Sequence, residues 1–423
     1  MSHFSVIQLN KEVFKMTKKD FAMRMAIVFL VLAWVIGFGG ISQAAPKSIK
    51  ISAVIPLTGP FSSTGVPLGL AYEIITDKVN KEGGIYVKKY GKKLPVELKI
   101  LDDESKGEKT QTQLEVGNSW GAVANLGGLG CSSFELGTPI CAKNKLAWIG
   151  PGCGGWNPHQ IGNLWLFSVF EKTKFVAPMP FEMIMENPQQ KPRKVALFEI
   201  NQLDAQEAIS FMQPSLKKGG FEVVFHNKYP FGTKDFSAMI TGAKNAGAEI
   251  LIAYPVPPAT PIILKQMKEL DFKPEVTYFI RAIISTKLFE SIGKPGDYVV
   301  GSTPYFSTFK FPENDYLMEE CQKRIGREPD PSVGAGYASA QVLFAAIEKA
   351  GTLDRTAIRD AIRSTDMMTV AGPVKFDEKG VPMGKVLVNI QYMNGKPRIV
   401  YANEYGKKFP EEVPVTPFQY QTN

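Results

Sequence analysis

Histidine is scarce in this chain of 423 residues: there are three, and one of them, His3, stands at the very start. His159 and His226 are left for any imidazole chemistry. Cysteine is sparse as well, at four. Cys131, Cys141 and Cys153 lie ten and twelve residues apart, not in the C-x₂₋₄-C pairs that place two thiolates on one zinc ion. No GxxxxGK[ST] and no strict GxGxxG is present, so nothing supports a nucleotide-phosphate cradle. There is no Lys/Arg-rich block. The net charge is +8, but residues 1–44 hold five basic and two acidic side chains, which leaves 44 basic against 39 acidic. That mild, dispersed excess gives no basic stripe for nucleic acid. Beyond residue 44 no apolar run is long enough for a bilayer span, and no low-complexity segment or short repeat interrupts the chain. A composition of 44% hydrophobic and 21% charged residues is that of an ordinary globular protein, with length for two or three domains.

The long apolar run that does exist is N-terminal. Lys18, Lys19 and Arg24 precede "MAIVFLVLAWVIGFGG", and "ISQAAPKS" follows with Ser42 and Ala44 at the small-residue positions. A basic region, an apolar stretch of about a dozen residues and an A-x-A-like end form the pattern of a cleavable secretory signal over 1–44. The alternative is a single membrane anchor, for which the run is short. No Cys stands near the cleavage point to carry a lipid. Met16 and Met23 are alternative starts. The mature chain is expected in the periplasm or another extracytoplasmic space, where disulfides are allowed.

Past the leader, short β-branched runs alternate with helical patterns. "IKISAVI" reads as a buried strand stopped by Pro56, Gly59 and Pro60. "LGLAYEIITDKVNKEGG" puts Leu68, Ala71, Tyr72, Ile75 and Val79 on one helical face. The strand "LPVELKILDDE", a helix over "KTQTQLEVGNSW", a helix over "FELGTPICAKNK" and the strand "LAWIG" follow. The plan restarts at "KVALFEI" and runs to "VTYFI". "AGYASAQVLFAAIEKAG" and "TAIRDAIRST" are helices that could complete the first half, and "KVLVNIQYMNGKPRIVY" is a strand-like end. This is the signature of α/β architecture with parallel sheets in two similar halves.

Three polar, glycine-rich loops close successive strands: "PLTGPFSSTG", "GGLGCSSFELG" and "GPGCGG". In parallel α/β sheets ligands collect beyond the carboxyl ends of the strands, where free N–H groups and helix N-termini point outward. Ser132 or Ser133 is expected to cap a helix there. The same loops are also what any α/β protein needs as turns. A Cys153–His159 nucleophile pair is conceivable, but no third orienting residue is visible. Asp102, Asp103 and Glu104 could hold Mg²⁺ or do acid–base work; such runs at strand ends are more often hydrogen-bonded to neighbouring turns.

"IKISAVIPLTGPFSSTG", "NKEGGI" with "LKILDDES", "GGLGCSSFELGTPICAKNKLAWIGPGCGG", "GTKDFSAMITGAKNAGAEILI" and "AGPVKFDEKG" together resemble the periplasmic solute-binding proteins of ABC importers, branched-chain amino-acid type, across essentially all of 48–400. The resemblance implies two Rossmann-like α/β lobes with parallel central sheets, the type I periplasmic binding fold. Lobe 1 would be 48–168 plus 305–383, and lobe 2 169–304 plus 384–423, joined by three crossing segments. It implies a non-enzyme with no cofactor and no metal, a monomer that closes on a small solute like a flytrap and delivers it to a membrane permease.

The site transfers unevenly. In amino-acid-binding members the Ser after the first-lobe Cys grips the ligand; here that is Ser132, beside Ser133. The next loop usually offers a Thr, where this chain has Gly152, Cys153 and Gly154. Thr64 occupies a position commonly aromatic. Asp204 stands in place of a Tyr, and a further Tyr falls near Val256, with Tyr254 adjacent. The carboxylate that usually meets the ligand ammonium falls at Ile280 or Arg281. A buried ammonium needs an opposite charge. Asp204 could supply it; Arg281 would instead pair with a carboxylate. The exchange tilts the reading slightly toward a small organic or aromatic acid without an amine. Phe61, Phe134 and Trp156 would suit an apolar body or pack behind the loops. Consecutive βα units place Cys131 and Cys153 at neighbouring strand ends, so a disulfide between them is open, with free thiols as the alternative. A ligand-sensing domain fits the same residues, and a secreted Cys153 amidase is the enzyme alternative. A transcriptional repressor of this fold would carry a DNA-binding helix pair where this chain carries its leader.

Overall fold

The computed structural model describes residues 45–152, 154–159, 164–169, 171–187, 192–254, 258–280 and 286–421. Its strands in chain order are β1 (Ile49–Ile55), β2 (Ile85–Val87), β3 (Lys92–Leu94), β4 (Val96–Asp102), β5 (Ala124–Gly127), β6 (Ala147–Gly150), β7 (Leu166–Ser168), β8 (Lys194–Ile200), β9 (Glu222–Tyr229), β10 (Ile250–Ala253), β11 (Val276–Phe279), β12 (Val299–Thr303), β13 (Asp366–Thr369), β14 (Gly372–Lys375), β15 (Val388–Met393) and β16 (Lys396–Ala402). Where the apolar run is continuous the strand is buried on both faces: β1, β5, β6, β8 and β10 have almost no exposed residue.

Two main sheets result. The first has the order β4-β1-β5-β6-β7 and is parallel throughout. The second has the order β16-β15-β12-β11-β10-β8-β9. Its five strands from β8 to β12 are parallel. Taken in chain order, each parallel set reads 2-1-3-4-5, the flavodoxin-like winding whose ligand crevice opens between its first and third strands. The same winding is therefore used twice in one chain.

The second sheet differs by an antiparallel pair. The stretch read as one strand-like run at "KVLVNIQYMNGKPRIVY" is two strands, β15 and β16. Asn394 and Gly395 both have positive φ, +53° and +72°, as a two-residue type I′ turn requires. The Asn-Gly signal for this hairpin stands in the sequence.

Helices fill the crossovers. Helix Ser62–Lys81 follows β1 and packs against helix Pro331–Ala350, which returns from late in the chain to the first sheet. Helix Cys131–Asn144 begins three residues before the expected "FELG" start. Its neighbour is helix Gly107–Trp120. Helix Leu203–Gly219 occupies the equivalent of Ser62–Lys81 in the second lobe. No described helix is long and apolar enough to cross a membrane.

Candidate functional site

The winding dictates where a site belongs: beyond the carboxyl ends of β1 and β5 in one lobe, and of β8 and β10 in the other. The candidate residues fall there. Thr64 is in the first turn after β1, Ser132 and Ser133 after β5, and Gly152 and Gly154 after β6. Asp204 follows β8 and Tyr254 follows β10. Cys153, Val256 and Arg281 lie outside the described residues, and with Cys153 goes the proposed bridge to Cys131.

The first-lobe loops are built on an aromatic floor. Phe134 is 1% exposed and stacks on the equally buried Trp148, with ring centroids 4.4 Å apart and 13° between planes. The Trp148 indole N–H donates to the Gly127 carbonyl at 3.0 Å. Phe134 is thus packing beneath the loop and presents no face to a ligand. Gly128, with φ of +85°, lies directly over this stack, and a Cβ there would meet both rings. Gly152 has φ of +75°, and a Cβ would fall 2.7 Å from Ser168 Oγ. Only glycine satisfies both constraints.

The expectation that Ser132 or Ser133 caps the helix is corrected. The helix starts at Cys131, Gly130 is the cap residue, and no side chain caps it. Both serines stand inside the first turn. Ser133 is buried and its Oγ is hydrogen-bonded with Thr110 Oγ1 at 3.1 Å. Ser132 is exposed on the same turn. Thr64 is 3% exposed, and its Oγ1 has no hydrogen-bond partner among the described residues.

The acidic run is a structural clamp. Asp102 accepts from the Leu57 and Thr58 N–H groups at 2.9 and 3.3 Å, from Thr58 Oγ1 at 2.7 Å and from its neighbour Glu104 N–H at 2.8 Å. Burial raises its pKa, but these donors outweigh burial and hold the carboxyl below its ordinary value. Asp103 is fully buried and accepts from Ser105 N–H and Thr110 Oγ1 at 3.0 Å each; burial pushes its carboxyl up. The side chain of Glu104 pairs with Lys106 and Lys109 at the surface. No group of three or more His, Cys, Asp or Glu among the described residues is placed to hold a metal ion.

The second-lobe side is charged. Asp204 is 2% exposed and accepts from the Tyr254 hydroxyl at 2.9 Å. The Tyr254 carbonyl in turn accepts from Tyr229 Oη at 3.0 Å. Ile280, where the family's carboxylate would fall, is buried, and its N–H bonds the Ala253 carbonyl. Glu135, Glu207 and Phe231, passed over in the sequence reading, belong here. Glu135, on the first-lobe helix, has its carboxyl raised by burial and then by the charges of Asp204 and Glu207. Glu207 accepts from the Trp156 and Asn157 N–H groups at 2.6 and 3.1 Å. Phe61 of the first lobe and Phe231 of the second approach to 6.3 Å between centroids. The i, i+3 spacing of Asp204 and Glu207 was visible as one helix face; nothing in the sequence placed Glu135 opposite it.

His159 is placed as a buried structural histidine. It is 2% exposed, its Nδ1–H donates to the Lys379 carbonyl at 3.0 Å, and burial followed by the Lys172 charge drives its pKa well below the ordinary value.

Comparison with known proteins agrees with this architecture. The leucine-, isoleucine-, valine-, threonine- and alanine-binding protein of Pseudomonas aeruginosa is 24% identical over 370 residues, covering 86% of this chain and 94% of its own. Among solved structures, a branched-chain amino acid transporter substrate-binding protein of Streptococcus pneumoniae, in complex with isoleucine, superposes with a TM-score of 0.75 at 17% identity, covering 84% of this chain and 99% of its own. A solute-binding protein of an ABC transporter from R. palustris, in complex with benzoate, gives 0.72 at 16% identity over 84% and 96%. The family model described as periplasmic binding protein matches residues 48–389, and the chain belongs to that family.

Proposed function

We propose that this chain is the extracytoplasmic solute-binding subunit of an ABC importer, and that its solute is a small amine-bearing molecule of the amino-acid class. Lobe 1 comprises 48–168 and 305–383, lobe 2 comprises 169–304 and 384–423, and residues 1–44 direct export. The solute is held where the two switch points face each other, and its differential contacts favour the closed form that a permease receives.

One observation carries the ligand class. Glu135 approaches Asp204 and Glu207 from the opposite lobe, with no hydrogen-bond or ionic partner of its own among the described residues. The charges of Asp204 and Glu207 add to burial in raising the Glu135 carboxyl, and an ammonium placed beside Glu135 supplies the opposite charge that relieves that repulsion. Asp204, pinned by Tyr254, then takes the role left open at Ile280. The named specificities of the Pseudomonas relative support the same class. The opposite reading, a carboxylate paired with Arg281, has support from the benzoate-bound neighbour.

Thermal-shift screening of the purified protein against amino acids, aromatic acids, short aliphatic acids and amides separates them. Amino acids are expected to raise the melting temperature, and Asp204→Asn to weaken binding of the responding one by about ten- to a hundredfold. A response confined to acids lacking an amine overturns the amine reading in favour of Arg281. Silence across all panels overturns solute binding itself.

A further inference from the structure

The loop after β6 is anchored at both ends, in different lobes. Its far end belongs to the first lobe: the His159 ring donates to the Lys379 carbonyl, and the Gly380 carbonyl next along accepts from Ser168 N–H in β7 at 3.1 Å. Its near end is gripped from the second lobe. The half-buried Glu207, on helix Leu203–Gly219, accepts from Trp156 N–H through Oε2 at 2.6 Å and from Asn157 N–H through Oε1 at 3.1 Å. Thr173 Oγ1 donates to the same Oε2 at 3.3 Å, and Thr173 N–H donates to the Gly154 carbonyl at 2.7 Å. Lys174, on the short helix Thr173–Val176 that packs against Leu203–Gly219, places Nζ 3.5 Å from the Trp156 ring centroid.

We propose that Glu207 is a positioning residue that latches the Gly154–His159 loop to the second lobe and so sets the balance between closed and open lobes. Both carboxylate oxygens are engaged, each by a backbone N–H of consecutive residues. Charge-assisted bonds of this kind are roughly twice as strong as neutral ones. Because the donors are main-chain groups, the latch reads the loop's position and not its side chains. The Lys174 ammonium over the indole adds a second grip on the same residue. A hinge opening that carries the Leu203–Gly219 helix away from the loop breaks these bonds, and bonds made in one arrangement only bias the equilibrium toward it. This inference rests on hinge closure and not on the ligand class, and it acts without a ligand bound.

The test therefore uses ligand-free protein. Small-angle scattering gives the radius of gyration of wild type, Glu207→Ala and Glu207→Gln. Trp156 emission is taken as the difference between each background and its Trp156→Phe partner. Glu207→Ala is expected to lower the closed-to-open ratio about tenfold or more, seen as a larger radius and red-shifted Trp156 emission. Glu207→Gln keeps a neutral acceptor and is expected to fall between the two; it also carries the test if the alanine variant folds poorly. An unchanged radius and unchanged Trp156 emission in both variants would overturn the latch, whatever the solute proves to be.

Discussion

At the end of the first sheet, the loops after β1, β5 and β6 offer hydroxyls, glycines and backbone amides over the Phe134–Trp148 stack. At the end of the second, the same winding offers carboxylates and tyrosines, with Asp204, Tyr254 and Tyr229 linked in one chain of hydrogen bonds. The first rim is shaped by packing, so its residues are small and its support is apolar. The second rim is shaped by polar contacts, so its support must satisfy every buried donor and acceptor. One topology thus yields a wall that fixes shape and a wall that fixes charge. The crevice location follows from strand order alone, whereas the chemistry follows from which residues occupy the loops.

The comparison can be broken most forcefully at the apolar floor. Phe134→Ala empties a site that Trp148 and the Gly128 turn cannot fill without moving, so a loss of about 3–5 kcal/mol in unfolding free energy is expected. Chemical denaturation measures it directly. A loss under about 1 kcal/mol would mean that the first rim does not depend on packing as argued. On the charged side, Tyr254→Phe keeps the ring and removes one donor from buried Asp204. The expected loss is smaller, about 1–3 kcal/mol, read by the same denaturation. If this variant costs more than Phe134→Ala, the contrast between the two floors is reversed.

The fold was legible because its signals are periodic. Continuous apolar runs, helices of matching length and turns at one edge lead to two wound sheets, and the resemblance of "GGLGCSSFELG" and its companions to solute-binding proteins leads to the flytrap. The hairpin at Asn394-Gly395 was legible too, in an Asn-Gly pair standing between two strand-like runs. The site was legible by position and not by partner. Asp204 could be singled out from its place after a strand. That it is held by Tyr254, fifty residues on, depends on β8 and β10 pairing side by side, which no local pattern states. Glu135 was overlooked because a lone acid on a helix is ordinarily a solvated face; only the opposing lobe gives it company. The capping role given to Ser132 and Ser133 failed because Gly130, with φ of +86°, lets the helix begin one turn sooner.

The smallest effect separates those two serines. Ser133 is buried in the Asp103–Thr110 network, so Ser133→Ala should cost about 1 kcal/mol in stability. Ser132 is exposed and its hydroxyl makes no hydrogen bond among the described residues, so Ser132→Ala should leave stability within about 0.5 kcal/mol. Binding should show the reverse order. If the exposed Ser132 hydroxyl meets the solute as proposed, its loss should weaken binding of the responding solute by about five- to tenfold, while Ser133, buried in the turn, should act only by holding it. Denaturation and titration of the two single variants, side by side, give four numbers. Equal loss of affinity from both would mean that the turn as a whole, and not the Ser132 hydroxyl, meets the solute. The first rim would then recognise by shape alone, and the whole burden of polar discrimination would fall on the second.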